Sequence, residues 1–275
     1  PAHSRCGVVC VDDEWGLRLA QESEVPVTTV SVFSHREADW SVRRINFDRA
    51  IPAVTFDLVT PQGDERLIRM PMLGEVNVQN AVVALVAALQ LGCEFEAAVS
   101  ALEGAEQIPG RMTSVNPDPG AQPLVIVDFA HTPEGLDWTL KSVRELTRGK
   151  LVLVFGTDGD RDATKREPLA EIAAQLADVL WVTDENPRTE DAPSIRQQLL
   201  NGIRRVRPDF HDVTEVTTCR RDAVRQAILA ADAGDIVVIS GKGAEWYQDI
   251  QGIKHVYNDV PVAREVLEQD IRARL

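Results

Sequence analysis

Positive charge is scarce in this chain: 29 Lys and Arg stand against 43 Asp and Glu, a formal net charge of −14. A non-specific nucleic-acid binder needs a basic face to replace phosphate counterions, so nucleic acid is not an expected partner. Anionic small molecules stay open, because a local Arg cluster overrides the global field. No apolar run reaches transmembrane length, and no basic-then-apolar signal segment opens the sequence. Membrane insertion is therefore not expected. Only four cysteines occur, Cys6, Cys10, Cys93 and Cys219, without a CxxC pair. They read as reduced thiols rather than a metal site, and together these features point to a cytoplasmic protein. No Gly-x-Gly-x-x-Gly follows the strand at 124–130, which lowers the odds of a dinucleotide oxidoreductase. Internal repeats and low-complexity segments are also lacking.

What is present fits two domains. The length, 275 residues, and a hydrophobic content of 44% allow a sizeable core. The first part holds a strand, "GVVCV", an acidic turn, "DDEWG", and β-like runs "VPVTTVSVF", "VRRINFD", "AVTFDLVT" and "RLIRMPM". Pro61-Gln-Gly-Asp64 suits a hairpin turn between the last two. "LGEVNVQNAVVALVAALQLG" is apolar nearly all round, which predicts a buried helix ended by Gly92, and a second helix follows at about 94–104. Beyond Arg111 four apolar strands alternate with helices: "LVIVDFA" then 133–148, "LVLVFG" then 166–177, "VLWVTD" then 193–205, and "DIVVIS" then about 260–272, with an extra helix at about 219–231. Thr132-Pro133 starts one helix and Gly149 is expected to end it. Continuous Val/Ile/Leu strands separated by helices predict a doubly wound, mostly parallel sheet covered on both faces. The boundary is placed at 111, before the Pro/Gly-rich "NPDPGAQP".

The polar residues gather after strand C-termini: "DFAHTP", "GTDGDRD", "DENPRTED" and "GKGAEWYQ". In an open parallel sheet such loops share one edge, where ligands bind. Strand-to-helix loops are polar in any case, but four charged loops carrying two arginines exceed that expectation. Asp158, Asp160 and Asp162 are spaced two apart, which suits a hard cation. Alternatively the three acids hold Arg161 rigid to grip a carboxylate in a two-pronged bond. "GKG" lacks the full phosphate-loop frame and is weak alone, and a lone His131 is more often structural. Asn77 and Asn80, three apart at the start of an apolar helix, should face the same way. One suits a helix cap, and a carboxamide also suits the edge of adenine.

Taken in order, "VVCVDDEWG", "LGEVNVQNAVVAL", "PGRM", "VDFAHTPEGL", "FGTDGDRDATKR", "VTDENPRTED" and "GKGAEWYQ" resemble the Mur ligase family, and "DENPR" with "GDRD" is the most discriminating part. The resemblance implies residues 1–111 as the second half of a central ATPase domain and 112–275 as a C-terminal Rossmann-like, amino-acid-binding domain. It implies an ATP-dependent ligase of peptidoglycan precursor synthesis that uses Mg2+. ATP phosphorylates the D-glutamyl carboxylate of a UDP-muramoyl dipeptide, and the amine of meso-diaminopimelate displaces the phosphate. It further implies that Asn80, Arg111, Asp128 and His131 line the nucleotide, and that Arg161, Glu185, Asn186, Pro187, Arg188, Gly241 and Glu245 line the amino acid. Two arginines suit the carboxylates of diaminopimelate, and Glu245 with a backbone carbonyl suits an ammonium. The acids beside Arg188 would hold it in place or meet that ammonium.

The departures are specific. The family's phosphate loop and its carbamylated, magnesium-holding lysine have no counterpart in the sequence, which opens on Pro1. A chain beginning midway through the central domain is expected, with no catalytic residue and no metal ligand of its own. Ala244 replaces the family's usual His, Phe129 its usual Tyr, and Glu185 a common Asp. The alternatives are a non-catalytic fragment or pseudoenzyme that binds diaminopimelate or peptide, a Mur-type ligase adding L-lysine, and a folylpolyglutamate synthase. "DENPR" argues against the last two, and lysine in particular has no second carboxylate for Arg188 to neutralise.

Overall fold

The computed structural model describes residues 5–34, 36–48, 53–116, 120 and 122–274. Much of the Pro/Gly-rich stretch after Asn116 falls outside them. Two compact units divide at Gln107 and Ile108. The first runs β1 (Gly7–Cys10), α1 (Glu14–Glu22), β2 (Val27–Ser31), β3 (Trp40–Asp48), β4 (Ala53–Val59), β5 (Glu65–Met70), α2 (Glu75–Gln90) and α3 (Phe95–Glu103). Its sheet is ordered β1-β2-β3-β4-β5, parallel across the first two pairings and antiparallel across the last two. Alternate residues of β4, Val54, Phe56 and Leu58, join Ile68 and Met70 against Val78, Val82, Leu85 and Val86 of α2. The period of two on the strand and the apolar girth of the helix produce this core.

The β4–β5 turn forms as expected, with Gly63 at φ 87° and its N–H donating to Thr60. Gly92, at φ 91°, closes α2: its N–H reaches Leu89 and that of Cys93 reaches Ala88. The acidic turn is instead the start of a helix. Asp13 caps α1 by accepting from the Gly16 N–H at 2.7 Å. The neighbouring Asp12 accepts from the Val32, Phe33 and Ser34 N–H groups and from the Ser31 and Ser34 hydroxyls. Burial raises the pKa of Asp12, but these donors and the Cys10 thiol outweigh it and hold the carboxyl well below its usual range.

The second unit runs β6 (Thr113–Ser114), β7 (Leu124–Asp128), α4 (Pro133–Leu146), β8 (Leu151–Phe155), a 3-10 turn (Ala163–Lys165), α5 (Arg166–Leu176), β9 (Val179–Val182), α6 (Ala192–Val206), β10 (Val213–Glu215), α7 (Arg220–Ala230), β11 (Ile236–Ser240), the hairpin β12 (Tyr247–Ile250) and β13 (Ile253–Val256), and α8 (Asp259–Arg274). Its sheet is ordered β10-β9-β8-β11-β7-β6, parallel throughout except at β6–β7. All residues of β7, β8 and β11 are buried, as strands covered on both faces must be. The α/β, mostly parallel architecture expected from the sequence is therefore present. Thr132 caps α4 as expected, but the helix ends at Leu146, where Thr147 turns to extended backbone before Gly149 is reached. The chain moves outward from β8 to β9 and β10, then returns to insert β11 between β8 and β7. This order brings the loops after β7, β8, β9 and β11 to one carboxyl edge. Behind that edge Arg220 and Asp259, both fully buried, form a two-pronged pair at 2.9 Å, and Arg220 also donates to the Ser240 carbonyl. The first residues of α7 and α8 are thus tied to the end of β11.

Candidate functional site

The loops after β8 and β9 lie back to back. Gly159 donates its N–H to the Asn186 carbonyl at 2.8 Å, and a Cβ at Gly159 would collide with the Pro187 carbonyl. Only glycine permits that approach. Arg188 follows with φ 53°. Its N–H donates to Asp249 and its carbonyl accepts from Gln251, so the hairpin fixes its backbone. Asp158 fixes its side chain: Arg188 Nη2 lies 3.0 Å from Asp158 Oδ2, while Asn186 Nδ2 donates to Asp158 Oδ1 at 2.9 Å. The buried Nε of Arg188 has no partner among the described residues.

This corrects two sequence expectations. Arg161 is not clamped by the acids around it: it is exposed, and among the described residues it has no ion pair or hydrogen bond. Asp158 turns to Arg188, Asp160 to Thr189, and Asp162 to Thr164, so the three acids do not converge. Nor do the acids of "VTDENPRTED" hold Arg188. Asp184 pairs with Arg196, Glu190 makes a two-pronged pair with the buried Arg166, and Asp191 caps α6 through Ser194. The surplus charge builds the frame of the loop, and the partner of Arg188 comes from another strand's loop.

The loop after β11 supplies the facing wall. Lys242 is fully buried and donates to Asn186 Oδ1 and to Glu245 Oε2, each at 2.8 Å. Asn186 Nδ2 also donates to Glu245 Oε2 at 3.0 Å. Glu245 Oε1 has no partner among the described residues and remains able to accept from a ligand. Glu185 is 4% exposed, with Oε2 buried and unpartnered. A Cβ at Gly241, which has φ 113°, would stand 2.6 Å from that oxygen. Burial, and after it the charge of Asp158, pushes the Glu185 carboxyl up to about 8. The arrangement therefore offers one held guanidinium, one half-exposed carboxylate and one buried acid on a single edge. Such a set matches a zwitterion carrying an additional carboxylate.

At the β7 end, Arg111 lies over the Phe129 ring with 4.2 Å from its guanidinium carbon to the ring centroid, and His131 meets that ring edge-on at 4.7 Å. Gly110 and Gly243 pack so closely that a Cβ on either would strike the other loop. Asp128 Oδ1 accepts from Ala130 N–H and Thr139 Oγ1, and Oδ2 accepts from Met112 N–H alone. In the first unit Asn77 and Asn80 do not share an environment. Asn77 is buried and donates to the Leu73 carbonyl at 2.6 Å, whereas Asn80 is exposed. Neither caps α2, whose cap is Gly74. Among the described residues no three His, Cys, Asp or Glu side chains could hold a metal ion, so no residue is assigned to magnesium.

Sequence reasoning missed Asp158 as the support of Arg188, Lys242 as the tie between Asn186 and Glu245, and the hairpin whose Gln248 donates to the Glu185 carbonyl. The first contact spans 30 residues, and no local pattern announces it.

Comparison with known proteins places both units. Residues 2–88 match the Mur ligase middle domain, and residues 110–243 match the Mur ligase glutamate ligase domain. A Streptomyces coelicolor protein named UDP-N-acetylmuramoyl-L-alanyl-D-glutamate–2,6-diaminopimelate ligase is 36% identical over 269 residues, covering 98% of this chain and 52% of its own length. A UDP-N-acetylmuramyl-tripeptide synthetase of Leifsonia xyli is 40% identical over 273 residues, with coverage of 98% and 52%. A solved structure of a UDP-N-acetylmuramoyl-L-alanyl-D-glutamate–2,6-diaminopimelate ligase superposes with a TM-score of 0.64 at 34% identity, covering 97% of this chain and 54% of that one. The chain thus spans about half the length of the curated relatives it matches. With two domain models of one family matched in succession, the chain belongs to the Mur ligase family.

Proposed function

We propose that this chain carries the amino-acid site of an ATP-dependent ligase that joins meso-2,6-diaminopimelate to UDP-N-acetylmuramoyl-L-alanyl-D-glutamate, a cytoplasmic step of peptidoglycan precursor synthesis. The observation that carries the reading is Arg188, held at 3.0 Å by Asp158 with its buried Nε unpartnered among the described residues. A guanidinium fixed in this way suits a second carboxylate, which diaminopimelate has and lysine lacks. Arg161, exposed and uncommitted, is the proposed partner of the other carboxylate. Glu245 Oε1 and the Gly241 carbonyl receive the ammonium, while Asn186 and Lys242 hold Glu245, and Pro187 shapes the turn that presents Arg188.

The stack of Arg111, Phe129 and His131 is the proposed nucleotide-facing surface of the second unit, with Asp128 Oδ2 as a ribose acceptor. The exposed Asn80 is a proposed adenine contact on its own unit. When bound, ATP with its Mg2+ supplies the phosphoryl group that activates the D-glutamyl carboxyl. The residues of this chain bind and orient the amine for attack, which contributes proximity and charge neutralisation.

Calorimetric titration of the chain and of Arg188→Ala with meso-diaminopimelate tests the reading. Loss of a charge-assisted contact costs roughly 1.5–3 kcal/mol, so Kd should rise about 10- to 100-fold in the variant. An unchanged Kd in Arg188→Ala contradicts the role given to this residue.

A further inference from the structure

Neither carboxyl oxygen of Glu185 has a hydrogen-bond partner among the described residues, and the side chain sits beneath the Gly241 α-carbon with Oε2 fully enclosed. A buried carboxylate without donors is costly, whereas the neutral acid is far less so. The charged groups that face it are engaged with one another. Asp158, after β8, holds Arg188 and Asn186. Lys242, after β11, is bound to Asn186 and Glu245. Arg220, on α7, is paired with Asp259 and the Ser240 carbonyl, and Tyr257 also donates to Asp259. On its own loop Asp184 pairs with Arg196 of α6. Each of these cations is thus bound to another carboxylate or amide, and the buried donors left over among them, Nη1 of Arg220 and Nε of Arg188, make no hydrogen bond to Glu185.

Resting on the amino-acid pocket proposed above, we infer that Glu185 is a neutral acid in the empty pocket and releases its proton to solvent when the ammonium of the amino acid binds between Glu245 and the carbonyl of Gly241, the residue under whose α-carbon Glu185 lies. The rise of its pKa to about 8, from burial first and Asp158 second, agrees with this. The balance is simple. A carboxylic acid and an ammonium carry two exchangeable protons apart; the bound pair keeps one fewer, and the O–H proton of Glu185 passes to buffer. The pair then exists as carboxylate with ammonium or as acid with free amine. The second form bears the nitrogen lone pair that attack on an activated carboxyl requires. Glu185 would thus let the pocket take up an amine in a state one proton closer to its nucleophilic form.

The test is calorimetry of the 275-residue chain with meso-diaminopimelate in PIPES, HEPES and Tris, whose ionisation enthalpies differ. At pH 7 a group titrating near 8 should release about 0.9 proton per ligand, and Kd should fall by about tenfold per pH unit between pH 6 and 7, levelling beyond 8. Glu185→Gln should show no buffer dependence and a flat Kd from pH 6 to 8. Binding without proton release overturns the inference while sparing the pocket, as does release that survives in Glu185→Gln. An absence of binding overturns the pocket reading and this inference with it. Infrared titration of the free chain against Glu185→Gln gives a ligand-independent check. A protonated carboxyl at pH 7 supports the inference, and one already ionised at pH 6.5 sinks it.

Discussion

Arg188 and Asp158 show how far a single side chain's role depends on contacts remote in sequence. The stretch around Arg188 carries four acids, and each has work other than holding it: Asp184 on Arg196, Glu190 on Arg166, Asp191 at the α6 cap, and Glu185 buried below Gly241. Composition made the cluster legible, but the pairing within it was not, because every decisive partner except the cap lies at least 12 residues away. Replacing Asp158 by Ala removes the side-chain hydrogen bond that holds Arg188 and one of the bonds of Asn186. Loss of those two bonds should weaken diaminopimelate binding by about tenfold or more, read as Kd by calorimetry. Glu185 makes a second residue-level prediction. Its folded-state pKa of about 8 lies above the ordinary 4.5, so the folded chain holds a proton that the unfolded chain has released. That contribution is full below pH 4.5 and is lost as pH rises through 8. Glu185→Gln stays neutral, so its stability advantage over the parent should grow by up to about 1.4 kcal/mol per pH unit between pH 5 and 8, measured by urea unfolding.

Among the elements, the parallel strands and their covering helices were readable because Val, Ile and Leu run unbroken through β7, β8 and β11, each of which is buried on both faces. Two elements were not. The helix α1 buries none of its residues, and its signals, the cap at Asp13 and the i, i+4 pair Trp15 and Leu19, are passed over where "DDEWG" reads as a turn. The β12–β13 hairpin alternates poorly, and all of β13 is exposed. Yet this hairpin straps the Arg188 loop: Arg188 pairs with Ile250, and Gln248, 7% exposed, donates to the Glu185 carbonyl at 2.8 Å and the Asp184 carbonyl at 3.3 Å. Gln248→Ala leaves buried carbonyls without a donor. It should cost about 1–3 kcal/mol in the urea-unfolding free energy with an unchanged m-value.

For the molecule as a whole, a net charge of −14 favours dispersal, while the α1 surface favours association through Trp15, 67% exposed, and Leu19, 59% exposed. Added salt screens the first effect and leaves the second. Self-association seen by sedimentation should therefore increase with ionic strength and decrease in the double variant Trp15→Ser, Leu19→Ser. The central claim concerns which amino acid the second unit selects, and it is tested most directly by titrating the same chain with meso-diaminopimelate and with L-lysine under one set of conditions. The account predicts tighter binding of diaminopimelate, by about tenfold or more, since only that ligand satisfies Arg188. L-lysine binding as tightly as diaminopimelate, or more tightly, would contradict it.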